Sequence, residues 1–383
     1  MLKTILTLTL SALILPLNAI AEDAPRWERT RDLWDQIGGS ATSFEFAGGQ
    51  LTLQRGENEP SAVLTKGDYE NFEMSFEFLL SNWCESGIFI HAPRNGATNA
   101  GMEIALASWE YEKNGKNVAG AITGEQEPLV LVEQKPFVWH SFALVMDWPR
   151  LKVTINDVVV QDLDLSTHPT LQHKLRTGAI GIQNNGYGAS FRKVTITPLK
   201  DKQKSKALFN GKNLNGWKVV EGEAHWNVKS RKRKLADKTD VQVGILSSAN
   251  GDGYLQHQEL YENFRLRMYV RTSPIANGGV FFRWLPKSME DRGYEIQILD
   301  NPFTDNPTGS IYGFARGNDL ALSPGEWQLL QINVDGPKVK TFIDGILSAE
   351  YDSLEKVRPG HIALQSHRTR AKIEYKEIIL EQD

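Results

Sequence analysis

The stretch "GYEIQILD" (Gly293–Asp300) alternates apolar and polar side chains, with Tyr294, Ile296 and Ile298 on one side and Glu295 and Gln297 on the other. A period of two is that of a β-strand with one face in a core. An earlier stretch, "GMEIALAS" (Gly101–Ser108), repeats the pattern at a distance of 192 residues. It keeps Glu103 but has Ala105 and Ser108 where the later stretch has Gln297 and Asp300. The same strand is thus written twice, once polar and once blunted.

The repetition extends over the whole chain. "YENFEMSFEF" from Tyr69 matches "YENFRLRMYV" from Tyr261, and "SGIFIHAP" from Ser86 matches "GGVFFRWLP" from Gly278, both offset by 192. Trp139 answers Trp327 and "LKVTIND" from Leu151 answers "VKTFIDG" from Val339 at an offset of 188, then "TGAIGIQNN" from Thr177 answers "PGHIALQSH" from Pro359 at 182. An offset that shrinks between matched blocks describes two like folds with different loop lengths. The spacing predicts domains over 22–200 and 207–383, joined by an exposed linker 201–206 within "KDKQKSK" (Lys200–Lys206).

Within each copy the apolar runs are short, alternating and rich in β-branched residues, with no sustained helical period. Asp335-Gly336 and Asp344-Gly345 mark hairpins. The fold class this predicts is all-β, two tandem antiparallel β-sandwiches of the jelly-roll or lectin kind. "KSRKRK" (Lys229–Lys234) resembles a nucleic-acid patch, but its position between two strands predicts a solvated hairpin turn.

Composition sets the outer limits. With 383 residues, 40% hydrophobic and 23% charged, the chain can bury two cores, and a net charge of −4 gives no reason to expect nucleic acid or an anionic membrane as partner. The N-terminus reads as a secretory signal: Lys3, an apolar run from Ile5 to Leu17, then Ala19-Ile20-Ala21 before Glu22, predicting export to the periplasm or beyond and cleavage after Ala21. That run is short for a membrane span, and no later segment approaches about 20 apolar residues. Cys84 is the single cysteine, so no intramolecular disulfide forms.

Sorting strands into faces gathers candidate site residues. In "GHIALQSH" (Gly360–His367), Ile362 and Leu364 take the core side, leaving His361, Gln365 and His367 opposite. In "GGVFFRW" (Gly278–Trp284), Val280 and Phe282 point inward, which places Phe281 beside Arg283. Asp300 joins Glu295 and Gln297 if a bulge re-aims it at the strand end. In the first copy His91, Ala105, Ser108 and Asn185 stand where the second has Arg283, Gln297, Asp300 and His367. Only Glu103 and Gln183 match Glu295 and Gln365. Folding alone does not require the second copy's set, so the site is expected there, with the first copy as support or binding module. A surface ion pair of Arg283 with Glu295, worth about 0–1 kcal/mol, is the plainer reading of that pair.

The motifs "LFNGKNLNGWKV" (Leu208–Val219), "NGGVFFRW", "YEIQILD", "TGSIYG" (Thr308–Gly313), "GEWQ" (Gly325–Gln328) and "GHIALQSH", in that order, resemble the 3-keto-disaccharide hydrolase domain family. The resemblance covers nearly all of the second domain, and the first is similar in outline. It implies a concanavalin A-like sandwich, activity on 3-keto-glycosides and a carbohydrate substrate. By position it implies site roles for Arg283, Glu295, Gln297, Asp300, Tyr312, Gln365 and His367. This sequence departs from the family in "NGG" for "NSG" before the Phe pair and in Ser366 for an acidic residue. Such chemistry needs a base near C2, for which His367 is suited, an electrophile for an oxyanion (Arg283 or a metal), and an acid (Glu295 or Asp300). Trp284 and Tyr312 are candidates for stacking on a sugar, and His361 for binding it. No ligand spacing demands a metal; a divalent cation stays open as cofactor. Two other readings also stay open: a lectin or carbohydrate-binding module without turnover, and a laminarinase-like retaining glycosidase, whose "E-x-D-x-x-E" strand "E-x-Q-x-x-D" resembles.

Overall fold

The computed structural model describes residues 27, 31–56, 60–96, 98–109, 115–234, 240–249, 251–285, 292–299, 301, 304–318, 324–367 and 372–382. The proposed signal segment, Asp300 and the turn residues 235–239 lie outside them.

The chain forms two tandem antiparallel β-sandwiches, as the alternation predicts. In the first, a five-stranded front sheet runs in the order β1 (Trp34–Ile37), β4 (Ser61–Thr65), β11 (Ala179–Asn184), β6 (Glu85–Ala92), β7 (Met102–Ala107). Behind it lies a seven-stranded sheet of β10 (Val158–Asp164), β9 (Arg150–Ile155), β8 (His140–Asp147), β5 (Phe72–Leu80), β12 (Ala189–Pro198), β3 (Gln50–Leu53) and β2 (Phe44–Ala47). β5, "FEMSFEFLL", shows why the sheets pack. Phe72, Met74, Phe76, Phe78 and Leu80 enter the core while the residues between them stay part-exposed.

The second sandwich repeats this. Its front sheet is β14 (Trp217–Gly222), β17 (Gly253–Tyr261), β24 (Gly360–His367), β19 (Asn277–Trp284), β20 (Tyr294–Leu299). Its back sheet is β15 (His225–Lys234), β16 (Asp240–Ala249), β25 (Lys372–Gln382), β18 (Phe264–Thr272), β21 (Gln328–Asp335), β22 (Lys338–Ile343) and β23 (Ile346–Tyr351), with β13 (Lys204–Ala207) added on β25. Both hairpin signals hold. Asp344-Gly345, each with positive φ, turns β22 into β23, and Gly336 sits in the turn between β21 and β22.

One expectation changes. The basic run is not a turn: Lys229–Lys234 belongs to β15, an edge strand paired with β16. The short segment between the domains is tied down. Lys204–Lys206 starts β13, while the backbone N–H groups of Lys202 and Gln203 donate to the Glu70 carboxylate. Cys84 is buried, which pushes its thiol up to about 12 and keeps it unreactive.

The domains also touch. The Arg94 N–H donates to the Tyr269 hydroxyl (3.1 Å), Asn95 Nδ2 donates to Asp344 Oδ1 (2.8 Å), and Ala100 and Leu175 pack with Tyr269 and Leu329. The segment 93–96 is thereby fastened to the back sheet of the second domain.

Candidate functional site

The outer face of the second front sheet carries the candidate residues because Leu255, Val280, Phe282, Ile296, Ile298, Ile362 and Leu364 are committed to the core on the other face. Strand register lines up Gln297, Gly279, Gln365 and Tyr254 across four strands. Beside that row run Glu295, Phe281, Ala363 and Gln256.

Gly279 makes the arrangement work. A Cβ there would come within 2.8 Å of Glu295 Cγ and 2.9 Å of its Cδ, so only glycine lets the Glu295 side chain lie across β19. The carboxyl is largely buried, and among the described residues no hydrogen bond or cation reaches it. Burial therefore pushes its pKa up to about 7. Around it, Gln297 donates to Asn277 Oδ1 (2.8 Å) and the Gly278 carbonyl (3.1 Å), and Gln365 donates to the Tyr254 hydroxyl (3.0 Å). Arg292 donates to the same hydroxyl (3.3 Å) and pairs with Glu221 (3.1 Å). Burial raises the Tyr254 pKa. His367 extends the face by one same-side step beyond Gln365, roughly 7 Å at strand rise. It is half-exposed, with Nδ1 3.3 Å from Asp252. His361 is on this face at its other end, Nδ1 3.2 Å from the Glu259 carbonyl. Tyr312 borders the site: its N–H donates to the Glu295 carbonyl, and its side chain is exposed.

Arg283 is placed elsewhere. The ladder shifts register between Phe281 and Trp284, and Arg283 has a left-handed φ of 53°. Its side chain leaves the outer face and is completely buried, donating to the backbone carbonyls of Lys356 (3.1 Å), Glu262 (3.2 Å) and Gly336 (2.6 Å). Burial lowers its pKa. It neither pairs with Glu295 nor faces a substrate. His91 has the same geometry in the first domain, with φ 56° and ring nitrogens 2.8 Å from the carbonyls of Glu70 and Leu175. Glu70 and Glu262 are themselves equivalent, so the Arg/His difference records one structural pin made with two side chains. Strict alternation missed this because the bulge flips the phase. The same flip puts Trp284 on the outer face, but buried under Tyr254 (ring centroids 4.6 Å), so it supports Tyr254 and is not an open stacking platform.

The first domain is less blunted than its sequence suggests. Glu103 lies across Gly87, where a Cβ would come within 2.7 Å of Glu103 Cγ and Cδ, and burial followed by repulsion from Glu85 pushes its pKa up to about 7. The glycine niche and its carboxyl are thus duplicated, with Gln183 in the place of Gln365. Sequence reasoning missed Tyr254, Arg292, Glu221 and the two glycines. The glycines did leave a signal, a Gly inside a strand at the same place in both copies. Among the described residues no three His, Cys, Asp or Glu side chains are grouped to hold a metal ion.

These two carboxyls give a pH prediction. A folded-state pKa of about 7 against an ordinary 4.5 means that the folded form favours the protonated acid. The associated stability is complete below pH 4.5 and lost as pH rises through about 7, up to about 3 kcal/mol for each domain. Urea midpoints are expected to fall between pH 5 and pH 8, and Glu103→Gln with Glu295→Gln to flatten that slope. An unchanged slope in the double variant would refute the burial argument.

A family model described as "3-keto-alpha-glucoside-1,2-lyase-like domain" matches residues 22–197 and again 204–381. No curated protein matches the chain. Among solved structures, a "putative glycosyl hydrolase" from Parabacteroides distasonis ATCC 8503 is 21% identical, over 42% of this chain and 93% of that one, with a TM-score of 0.38. The carbohydrate binding module CBM66 from Bacillus subtilis is 13% identical, over 43% and 95%, with a TM-score of 0.33.

Proposed function

Because the chain belongs in both halves to the 3-keto-alpha-glucoside-1,2-lyase-like domain family, we propose that it is an exported enzyme cleaving the glycosidic bond of 3-keto-glycosides at the outer face of its second front sheet. The observation that carries this reading is Glu295, a largely buried carboxyl laid across Gly279 on a face that also presents Gln365, the Tyr254 hydroxyl and His367, with burial pushing its pKa up to about 7.

A ketone at C3 acidifies the C2 hydrogen. Removal of that proton gives an enediolate, whose electrons expel the C1 substituent as the C1–O bond breaks; the departing oxygen takes a proton. The product is an unsaturated 3-keto sugar, and addition of water to it completes a net hydrolysis. His367, at the open end of the face, is assigned as the base at C2. Glu295, protonated over half its molecules below pH 7, is assigned as the donor to the departing oxygen. Gln297, Gln365 and Tyr254 are held by their own hydrogen bonds in positions to orient sugar hydroxyls. Asp300 remains a candidate second acid.

The test is product analysis on paired substrates with the mature protein, whose N-terminus is expected at Glu22. Aglycone is expected from a 3-keto-glucoside and not from its 3-hydroxy parent. Binding of the unmodified glycoside with no release from either would make the chain a lectin. His367→Ala turning over the 3-keto substrate at the native rate would remove the base assignment.

A further inference from the structure

The front sheet of the first domain has the same floor as the second but different walls. Register pairs Ala62 with Gln183 just as it pairs Tyr254 with Gln365, and pairs Ile37 with Ala62 as it pairs Glu221 with Tyr254. Ala92 follows the His91 pin as Trp284 follows Arg283. The phenol ring, the indole and the carboxylate that enclose one face are therefore an alanine, an alanine and an isoleucine on the other. A pocket of about 350 Å³ lies there, lined by Ile37, Ala62, Leu64, Phe89, Ala92 and Gln183. That size is in the range of small-molecule sites. Phe89 is the register partner of Glu103, and Gln183 lies beside Gly87, so the carboxyl in its niche lies next to Gln183, just outside the pocket's own lining.

The vacated space is mostly apolar, lies where aromatic side chains stand in its counterpart, and carries no charged lining residue. Its polar lining is the Gln183 amide and the Ser61 hydroxyl, and the Glu103 carboxyl lies in the adjacent Gly87 niche. We infer that the first domain binds uncharged glycosides with an aromatic aglycone, the ring seated between Ala62, Phe89 and Ala92 and the sugar toward Gln183 and Glu103. The sugar half of this inference rests on the reading of the second domain's face as a sugar site. The chain then holds two sites of the same lineage, one narrow and aromatic-walled, the other open to a ring.

The full-length native chain, which is expected to spare 3-hydroxy glucosides, is titrated calorimetrically with phenyl α-glucopyranoside, methyl α-glucopyranoside and phenol. The phenyl glucoside is expected to bind at least about tenfold tighter than the methyl one, the worth of burying one aromatic ring. Ala92→Trp and Ala62→Tyr, each rebuilding one wall of the second domain, are expected to erase that preference. Equal binding of the phenyl and methyl glucosides, or a preference that survives both wall variants, would overturn the inference. So would phenol binding as tightly as the glucoside, because the pocket would then not recognise sugar. Release of aglycone from a 3-keto-glucoside by the native chain is scored separately. Its absence, with the phenyl preference and its loss on wall rebuilding intact, counts against the second domain's assignment and not against this pocket.

Discussion

Arg283→Ala is expected to destabilise the second domain by about 3–5 kcal/mol while leaving turnover per folded molecule near native. Three backbone carbonyls lose their donor in a buried place, at about 1–3 kcal/mol each before relaxation. These carbonyls belong to the strand turn before β18, the β21–β22 hairpin and the loop leading to β24, so the guanidinium holds three separate segments together. Urea unfolding followed by tryptophan emission would show the transition of that domain at lower urea. Arg283→His, copying the first domain's solution, is expected to restore part of the loss. If Arg283→Ala folded as stably as the native chain but lost turnover, the pin would be wrong and an oxyanion role would return.

Glu295→Gln is expected to lower the rate of aglycone release from a 3-keto-glucoside by about 10²–10⁴-fold, the usual worth of a positioned proton donor. Glutamine preserves shape in the glycine niche but cannot give up a proton at neutral pH, so folding should be unharmed. In the native chain the rate should decline as pH passes about 7, since the donor ionises there. A native pH profile in Glu295→Gln would show that another group supplies the proton. Asp300→Asn is then the variant to measure.

Much of this was legible in the chain. Alternation placed Ile296, Ile298, Ile362 and Leu364 in the core and put Gln297, Gln365, His361 and His367 on one outer face, because a strand of period two leaves little choice once its apolar side is known. The duplication was legible for a similar reason: core patterns repeat when folds repeat. What failed did so where the chain departs from regular strand. The bulge at Arg283 reversed the phase for two residues, so Arg283 and Trp284 exchanged roles. Tyr254, Arg292 and Glu221 meet only because β17 lies beside β24 and β14 beside β17, and neighbour order in a sheet is not written in any single strand. The contrast between a working and a supporting copy was overdrawn because it counted side-chain identities. His91 and Arg283 differ in name and share a task, whereas Gly87 and Gly279 share a name and carry the carboxyl niche.

Pro93 and Gly96 border the first domain's pocket, and Arg94 and Asn95 between them are bonded to the neighbouring sandwich. A guest in that pocket would therefore lean on the segment that fastens the two sandwiches together as well as on a wall. Thermodynamic reciprocity sets the size of the effect: whatever factor domain docking adds to affinity for the guest, the guest adds to the equilibrium for docking. Loosening that segment, by Tyr269→Phe for instance, would be felt at the pocket only to the extent that the pocket, when filled, holds the two sandwiches together.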